Sequence, residues 1–138
     1  MIPRYTPEVM ADLWSDEAKW RRVLEVELAV VDVLAEDGVV PAEAAREMRR
    51  RAGFDLERID EYEKITRHDL IAFLQSVGDS LGELKRWLHL GLTSYDVIDT
   101  ALSLALVKAG RTIDEQLQRL RRILAEQALT QRLSLIHI

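Results

Sequence analysis

The sequence predicts an all-α chain, with a small N-terminal helical domain followed by the first long helix of a central helical-bundle domain. Apolar residues recur at three- and four-residue spacing through most of the 138 residues, which is the period of an amphipathic helix. The same spacing continues from Ile98 to Leu124, a length typical of helix bundles rather than small globular domains. We place the two domains at residues 1–92 and 93–132.

Capping residues and helix breakers predict where the first helices begin and end. Residues 1–5 are expected to form an irregular arm, and Thr6-Pro7-Glu8 to open a short helix with Pro7 at its first position. Ser15 is expected to begin a longer helix that ends at Asp37-Gly38. That helix carries two apolar stripes, so we expect it to be covered on two sides. The stripes are Trp20, Leu24, Leu28, Val31 and Leu34, and Val23, Val26, Val30 and Val33.

The later helices are shorter until the last. Pro41 is expected to start a third helix that Gly53 stops. A charged helix over 55–65, a fifth helix over 68–81 and a short helical turn over 83–88 follow.

Composition excludes several classes of protein. Acidic residues number 24 and basic residues 19, giving a net charge of −5, which argues against nucleic acid as the main partner. Cysteine is absent, so neither a disulfide framework nor thiolate chemistry is expected. The chain has no long uncharged apolar run and no signal-peptide pattern. We therefore expect a soluble cytoplasmic protein that does not bind membranes.

Helix packing does not explain the composition of two short polar segments. They are Thr66-Arg67-His68-Asp69 and the segment 89–96, His-Leu-Gly-Leu-Thr-Ser-Tyr-Asp. Each lies at the start of a predicted helix, where unpaired N–H groups and the positive end of the dipole favour an anion. Together with Arg4, they predict a pocket for a multiply anionic small molecule.

Simpler interpretations remain open for each run. Thr93 followed by Asp96 is the capping-box pattern, and Thr66 with Asp69 could cap the start of the following helix in the same way. A lone histidine such as His89 is more often a packing or surface residue than a catalytic one. The sequence contains no Gly-rich phosphate loop, no metal-spaced His/Cys cluster and no Ser-His-Asp set that would favour another chemistry.

Four blocks in combination resemble the bacterial adenylosuccinate lyases of the fumarase/aspartase superfamily. The resemblance runs in register from residue 1 to about residue 129. The blocks are Arg4-Tyr5, Leu-Glu-Val-Glu-Leu-Ala at 24–29, Thr-Arg-His-Asp-Leu-Ile-Ala-Phe at 66–73, and the segment 89–101 beginning His-Leu-Gly-Leu-Thr-Ser.

The resemblance implies a carbon–nitrogen lyase of purine nucleotide biosynthesis. Such an enzyme eliminates fumarate from adenylosuccinate, giving AMP, and from the succinyl-aminoimidazole carboxamide ribotide. A base removes a proton next to a carboxylate, the anionic intermediate is stabilised, and an acid protonates the departing nitrogen. The resemblance implies no metal and no organic cofactor, an anionic nucleotide substrate as partner, and a homotetramer whose subunits share active sites.

Site residues are carried over only where this sequence matches the family blocks. Arg4 and Tyr5 would contact the nucleotide, and Arg67, His68 and Asp69 would line the nucleotide and succinyl site. His68 would also support catalysis. Residues Thr93 and Ser94 would hold a succinyl carboxylate, and His89 would lie near the phosphate.

The chain departs from the family pattern in what it lacks. It contains neither the Gly-Arg-Thr-His segment that bears the family's catalytic histidine nor the Ser-Ser-x-Met-Pro loop that bears its serine base. We therefore expect an inactive N-terminal fragment. Residues 133–138, Leu-Ser-Leu-Ile-His-Ile, resemble the translation of a transposon-end sequencing adapter (CTG TCT CTT ATA CAC ATC), so we expect a non-native tail. The alternative is a genuine hydrophobic terminus.

Two further functions fit the same residues. The parent could be another elimination enzyme of the superfamily. The chain could also be a non-catalytic helical module, in which the polar runs are only caps and the long helix serves self-association. A binding site needs Arg4, Arg67 and His68 to converge, whereas such a module does not.

Overall fold

Every regular element in the described part of the chain is helical. The computed structural model describes residues 2–131. Its α-helices are α1 (Glu8–Leu13), α2 (Asp16–Glu36), α3 (Ala42–Arg51), α4 (Leu56–Thr66), α5 (Asp69–Leu81) and α6 (Ser94–Thr130). Two short 3-10 helices, Pro3–Tyr5 and Gly82–Trp87, complete the regular structure over this range. The predicted all-α class is therefore confirmed.

Helix starts follow the predicted caps with two corrections. The Ser15 side chain accepts a hydrogen bond from the Ala18 N–H at 3.1 Å, which stabilises the first turn of α2. The predicted irregular arm instead contains the 3-10 turn Pro3–Tyr5, closed by a Tyr5 N–H bond to the Ile2 carbonyl. Pro7 occupies the cap position of α1 rather than its first turn, and its carbonyl accepts the Ala11 N–H at 3.0 Å. The Thr6 hydroxyl bonds back to the Ile2 carbonyl.

The core lies between α2, α3, α4 and α5. Phe73 of α5 is fully buried, and its ring stacks on Trp20 of α2 with 4.8 Å between centroids. Phe54, in the segment between α3 and α4, tilts against the same ring at 5.7 Å. Offset aromatic pairs of this kind add to the free energy of burial. These contacts fix α2 against the start of α5, where one of the polar runs lies.

The prediction that α2 is covered on two sides is wrong for part of its second stripe. Val23 and Val26 are buried, whereas 55% of Val33 is exposed. Val33 lines an open apolar groove of about 460 Å³, whose other wall includes Leu92 and Leu104. The second stripe is continuous in sequence, but the packed helices cover only its N-terminal half.

The chain divides into two compact units, Met1–Ala105 and Leu106–Ile138. Helix α6 begins in the first unit and continues into the second. The division into domains at 1–92 and 93–132 stays a prediction. The predicted adapter-derived tail, 133–138, lies outside the described residues.

Candidate functional site

The junction between α4 and α5 is a sharp turn built by two consecutive residues. Arg67 ends α4 in the left-handed conformation, with φ of 55°, and its N–H bonds to the Glu63 carbonyl at 2.9 Å. His68 follows in an extended conformation and caps α5. A non-glycine residue with positive φ is uncommon and is enriched at functional sites. This turn places the His68 side chain at the N-terminus of α5.

His68, rather than Thr66, provides the N-cap of α5, which corrects the simpler interpretation of this run. Its Nδ1 accepts from the Ile71 N–H at 3.5 Å. Thr66 instead accepts the His68 N–H at 3.4 Å and stabilises the turn. Because Nδ1 accepts a hydrogen bond, the neutral ring carries its proton on Nε2.

The His68 ring connects the two polar runs. Its Nε2 lies 3.4 Å from the hydroxyl oxygen of Ser94, the first residue of α6. With the proton on Nε2, the imidazole donates and the Ser94 hydroxyl accepts. Two motifs 26 residues apart in sequence therefore meet at one point, with the His68 side chain 45% exposed. The result is an accessible imidazole and hydroxyl between two helix N-termini.

Asp69 adds a charged group beside this pair. Its carboxylate lies 3.4 Å from the Lys19 ammonium of α2, and both side chains are less than half exposed. Lys19 also lies over the Trp20 ring, 4.0 Å from its centroid. Lys19 was missed by the sequence analysis, because a lysine in an amphipathic helix gives no signal of its partner 50 residues away.

One of the two hydrogen bonds of the predicted capping box is present at the start of α6. The Asp96 carboxylate accepts the Thr93 N–H at 2.7 Å and the Thr93 hydroxyl at 3.0 Å. These two bonds, the backbone one above all, hold the pKa of Asp96 below its usual range. Thr93 thus has a capping role, while the neighbouring Ser94 hydroxyl faces His68.

His89 contacts a different partner. It has a positive φ of 60°, and both its backbone N–H and its ring bond to the carboxylate of Glu27 in α2. Glu27 is fully buried, and its role was missed by the sequence analysis. A signal was present, because Glu27 lies four residues from both Val23 and Val31 on an otherwise apolar stripe.

The N-terminal pair is placed apart from these contacts. Arg4 lies over the ring of its neighbour Tyr5 at 4.6 Å, and Tyr5 is 70% exposed. In the part of the chain that the structure describes, no hydrogen bond links Arg4, Tyr5 or Arg67 to His68 or Ser94. Arg67 instead borders a surface hollow with Asp60, Glu63 and Lys64. The convergence of Arg4, Arg67 and His68 in one site stays a prediction.

Two negative findings concern residues 2–131. No group of three or more histidine, cysteine, aspartate or glutamate side chains in this range is placed to hold a metal ion. Nor does the range include a helix with both the length and the apolar character needed to cross a bilayer.

The sequence is similar to curated adenylosuccinate lyases. It is 46% identical over 128 residues to the enzyme of Bacillus subtilis (strain 168), and 45% identical over the same length to that of Thermotoga maritima. The adenylosuccinate lyase of Streptococcus mutans is 43% identical. Each match covers 93% of this chain, and the chain spans about 30% of the length of these relatives. The predicted resemblance is thereby confirmed.

The fold also matches a solved structure. A crystal structure of fumarate lyase from Mesorhizobium sp. BNC1 superimposes with a TM-score of 0.80 at 26% identity. The superposition covers 88% of this chain and 29% of that one. The family described as Lyase matches residues 4–134, nearly the whole of the sequence. The chain therefore belongs to the lyase family.

Proposed function

We propose that this chain is part of an enzyme that eliminates fumarate from adenylosuccinate, giving AMP, and from the succinyl-aminoimidazole carboxamide ribotide. The similarity to adenylosuccinate lyases supports this choice of substrates, although the chain spans about 30% of their length. The activity is accordingly that of a longer protein to which these residues contribute one part of the site. We further propose a cytoplasmic homotetramer that needs neither metal nor organic cofactor.

The observation that carries the proposal is the contact between His68 Nε2 and the Ser94 hydroxyl at 3.4 Å. Helix capping alone does not require two helix N-termini 26 residues apart in sequence to lie side by side. A substrate site does require hydrogen-bond donors that converge on one point. Elimination next to a carboxylate concentrates negative charge on that group in the transition state. Donors already in position stabilise such charge without reorganisation. The imidazole, the hydroxyl and the N–H groups at the start of α6 supply these donors.

The roles we propose follow this geometry. When substrate is bound, Thr93 and Ser94 hold a succinyl carboxylate at the start of α6 in place of their present contacts with Asp96 and His68, and His68 Nε2 then donates to the reacting succinyl group. Asp69, paired with Lys19, keeps the charge beside His68 balanced. Other proposed contacts to the nucleotide come from Arg4, Tyr5, Arg67 and His89, whose side chains lie outside the His68 and Ser94 pair. The catalytic acid and base come from parts of the protein beyond these residues.

The decisive experiment measures substrate cleavage by the protein extended to the length of its relatives. His68→Asn keeps a residue type favoured at a helix N-cap but removes the imidazole that faces Ser94. Ser94→Ala removes the hydroxyl. We expect each variant to lower kcat/KM for adenylosuccinate by at least tenfold, while circular dichroism shows a folded protein. Near-normal kinetics for both variants would contradict the assignment.

Ser103→Ala is the matched control. Ser103 also lies on α6, but its hydroxyl bonds within the helix to the Asp99 carbonyl at 2.8 Å. It should therefore leave kcat/KM unchanged. A panel of other succinyl and fumarate-yielding substrates distinguishes adenylosuccinate cleavage from another elimination of the superfamily. If the enzyme cleaves one of these substrates in preference to adenylosuccinate, that compound replaces the proposed substrate.

A helical self-association module is the second candidate, favoured by one specific observation. Several leucines on α6 beyond Ala105 are exposed, including Leu117 and Leu124. A surface of this kind marks an association face. The two candidates separate in the same assay, because a module without a substrate site gives no cleavage even when the protein is extended and assembled.

A further inference from the structure

Glu27 is a buried acid whose hydrogen bonds, among the residues that the structure describes, all involve His89. It lies on α2 with no exposed surface, and its two carboxylate oxygens divide the contacts with His89 between them. Oε2 accepts the His89 backbone N–H at 3.0 Å, and Oε1 lies 2.7 Å from the ring Nδ1. A buried carboxylate is retained only where hydrogen bonds compensate for its lost hydration. The two contacts with His89 provide that compensation.

The contact fixes both the backbone and the ring of His89. The backbone has a positive φ of 60°, a conformation that a residue with a Cβ adopts only when its surroundings require it. The bond from this N–H to Oε2 supplies that requirement. The 2.7 Å separation of Oε1 and Nδ1 is typical of a charge-assisted hydrogen bond. Because a carboxylate only accepts, the hydrogen in this bond belongs to Nδ1.

We propose that Glu27 is a positioning residue that keeps a hydrogen on Nδ1 of His89 and so leaves Nε2 free to accept a hydrogen bond from a donor group of a ligand. A histidine in solution samples both tautomers and many orientations. Here the buried Glu27 carboxylate selects the tautomer and the ring orientation of His89. Carboxylates that bond to the far side of other functional histidines act in the same way. The binding role of His89 rests on the proposed function, whereas its tautomer does not.

His89 also borders a cavity of about 450 Å³. The lining combines the polar side chains of Tyr62, Gln75, Asp79 and Lys85 with apolar ones such as Leu74. Among the groups that line this cavity, the Asp79 carboxylate already accepts a hydrogen bond from the Tyr62 hydroxyl at 2.9 Å. Burial raises the pKa of the Glu27 carboxyl, and the two bonds to His89 act in the opposite direction. A protonated Glu27 would donate to Nδ1 and reverse the tautomer, so the tautomer reports directly on the contact.

Glu27→Gln gives a specific test, because glutamine has one accepting oxygen and one donating NH₂ group. The His89 backbone N–H can only donate, so it takes the amide oxygen. The NH₂ group then faces Nδ1, which must accept and lose its hydrogen. The substitution is nearly isosteric and yet reverses the hydrogen position on the ring.

Magic-angle-spinning NMR of the sedimented chain with ¹⁵N-labelled histidine measures this position without requiring a monomer. The His89 signals are assigned by their loss in His89→Asn. We expect a protonated Nδ1 in the unsubstituted chain and an unprotonated Nδ1 in Glu27→Gln. Glu25→Gln, an exposed glutamate on the same helix, is the matched control and should leave the His89 signals unchanged.

An unprotonated Nδ1 in the unsubstituted chain overturns the proposal, as does a Glu27→Gln chain that is folded and keeps the hydrogen on Nδ1. If Glu27→Gln does not fold, the unsubstituted spectrum alone decides. In the extended enzyme we expect Glu27→Gln to raise KM by roughly tenfold, because a protonated Nε2 can no longer accept from the ligand and one hydrogen bond is lost. A changed tautomer with an unchanged KM supports the positioning role and overturns the binding role of His89 instead.

Discussion

The two units of the chain carry similar helical patterns with opposite outcomes. In the first unit, Met1–Ala105, the apolar stripe at the start of α6 is buried, with Val97 and Ala105 fully inaccessible. In the second unit, which begins at Leu106, the stripe on the same helix is open beyond Ala109, and Leu117 and Leu124 are 57% and 59% exposed. An amphipathic period in the sequence predicts that one face of a helix is buried. It does not predict whether the helices that bury this face belong to the same chain.

The difference has an energetic consequence. Each Å² of apolar surface removed from water contributes about 25 cal/mol, so the buried N-terminal part of α6 adds to the stability of the first unit. The exposed remainder of the helix makes no such contribution until another helix covers it.

Truncation in the core should cost far more than truncation on the exposed stripe. Phe73→Ala removes the ring that packs on Trp20 and Phe54, and we expect about 3–5 kcal/mol lower stability. Leu117→Ala removes a side chain that is 57% exposed, and surface changes of this kind lie within about 0.5 kcal/mol. Urea unfolding followed by circular dichroism measures both. Equal losses would break the comparison.

The exposed stripe should make the chain self-associate. Leu117→Glu combined with Leu124→Glu places charges on the apolar face, and we expect the sedimentation coefficient at high micromolar concentration to fall to that of a monomer. Gln118→Glu and Glu126→Gln are controls, because both residues are exposed polar positions of the same helix. An unsubstituted chain that sediments as a clean monomer at that concentration contradicts the prediction.

Loss of a helix cap in the first unit should have an intermediate effect. Ser15→Ala removes the oxygen that accepts the Ala18 N–H at the start of α2 and should lower stability by about 1 kcal/mol. Ser15→Asp retains an acceptor and should restore most of the loss. Comparable Tm values for Ser15→Ala and the unsubstituted chain would mean that packing alone sets the start of α2.

The smallest effect concerns acid pH. Hydrogen bonds from Thr93 hold the pKa of Asp96 below its usual value of 3.8. Between the folded and unfolded values the unfolded state binds more protons, so stability rises with pH in that interval and is lost as pH falls through the folded value. Asp96→Asn should abolish this part of the acid-side slope, measured as the urea midpoint at successive pH values. A slope that persists in Asp96→Asn assigns it to other carboxylates.

The fold was accessible from the sequence because it rests on local signals. Ser15, Asp37-Gly38 and Asp55 mark helix ends through side-chain or backbone preferences that act within a few residues. The cap of α5 shows the limit of such signals. Thr66 has the favoured side chain, but the left-handed Arg67 displaces the cap to His68.

The sequence alone identified some of the candidate site residues and missed others. The sequence singled out His68, Ser94 and His89 as unusual polar residues at helix starts. It assigned no role to Lys19 or Glu27, whose partners lie 50 and 62 residues away. A residue's charge and spacing are visible in one dimension, whereas its partner is set by how the helices pack.

The sequence by itself determined that this chain is helical, where most helices begin and end, and which face of each is apolar. Those properties depend on backbone hydrogen bonds and side-chain periods that span a few residues. Only the tertiary structure decided that Val33 stays exposed, that Ser94 meets His68, and that the buried Glu27 holds His89. Each of these depends on the packing of α2, α5 and α6, because a side chain's partner and its access to water are fixed only when distant helices come together.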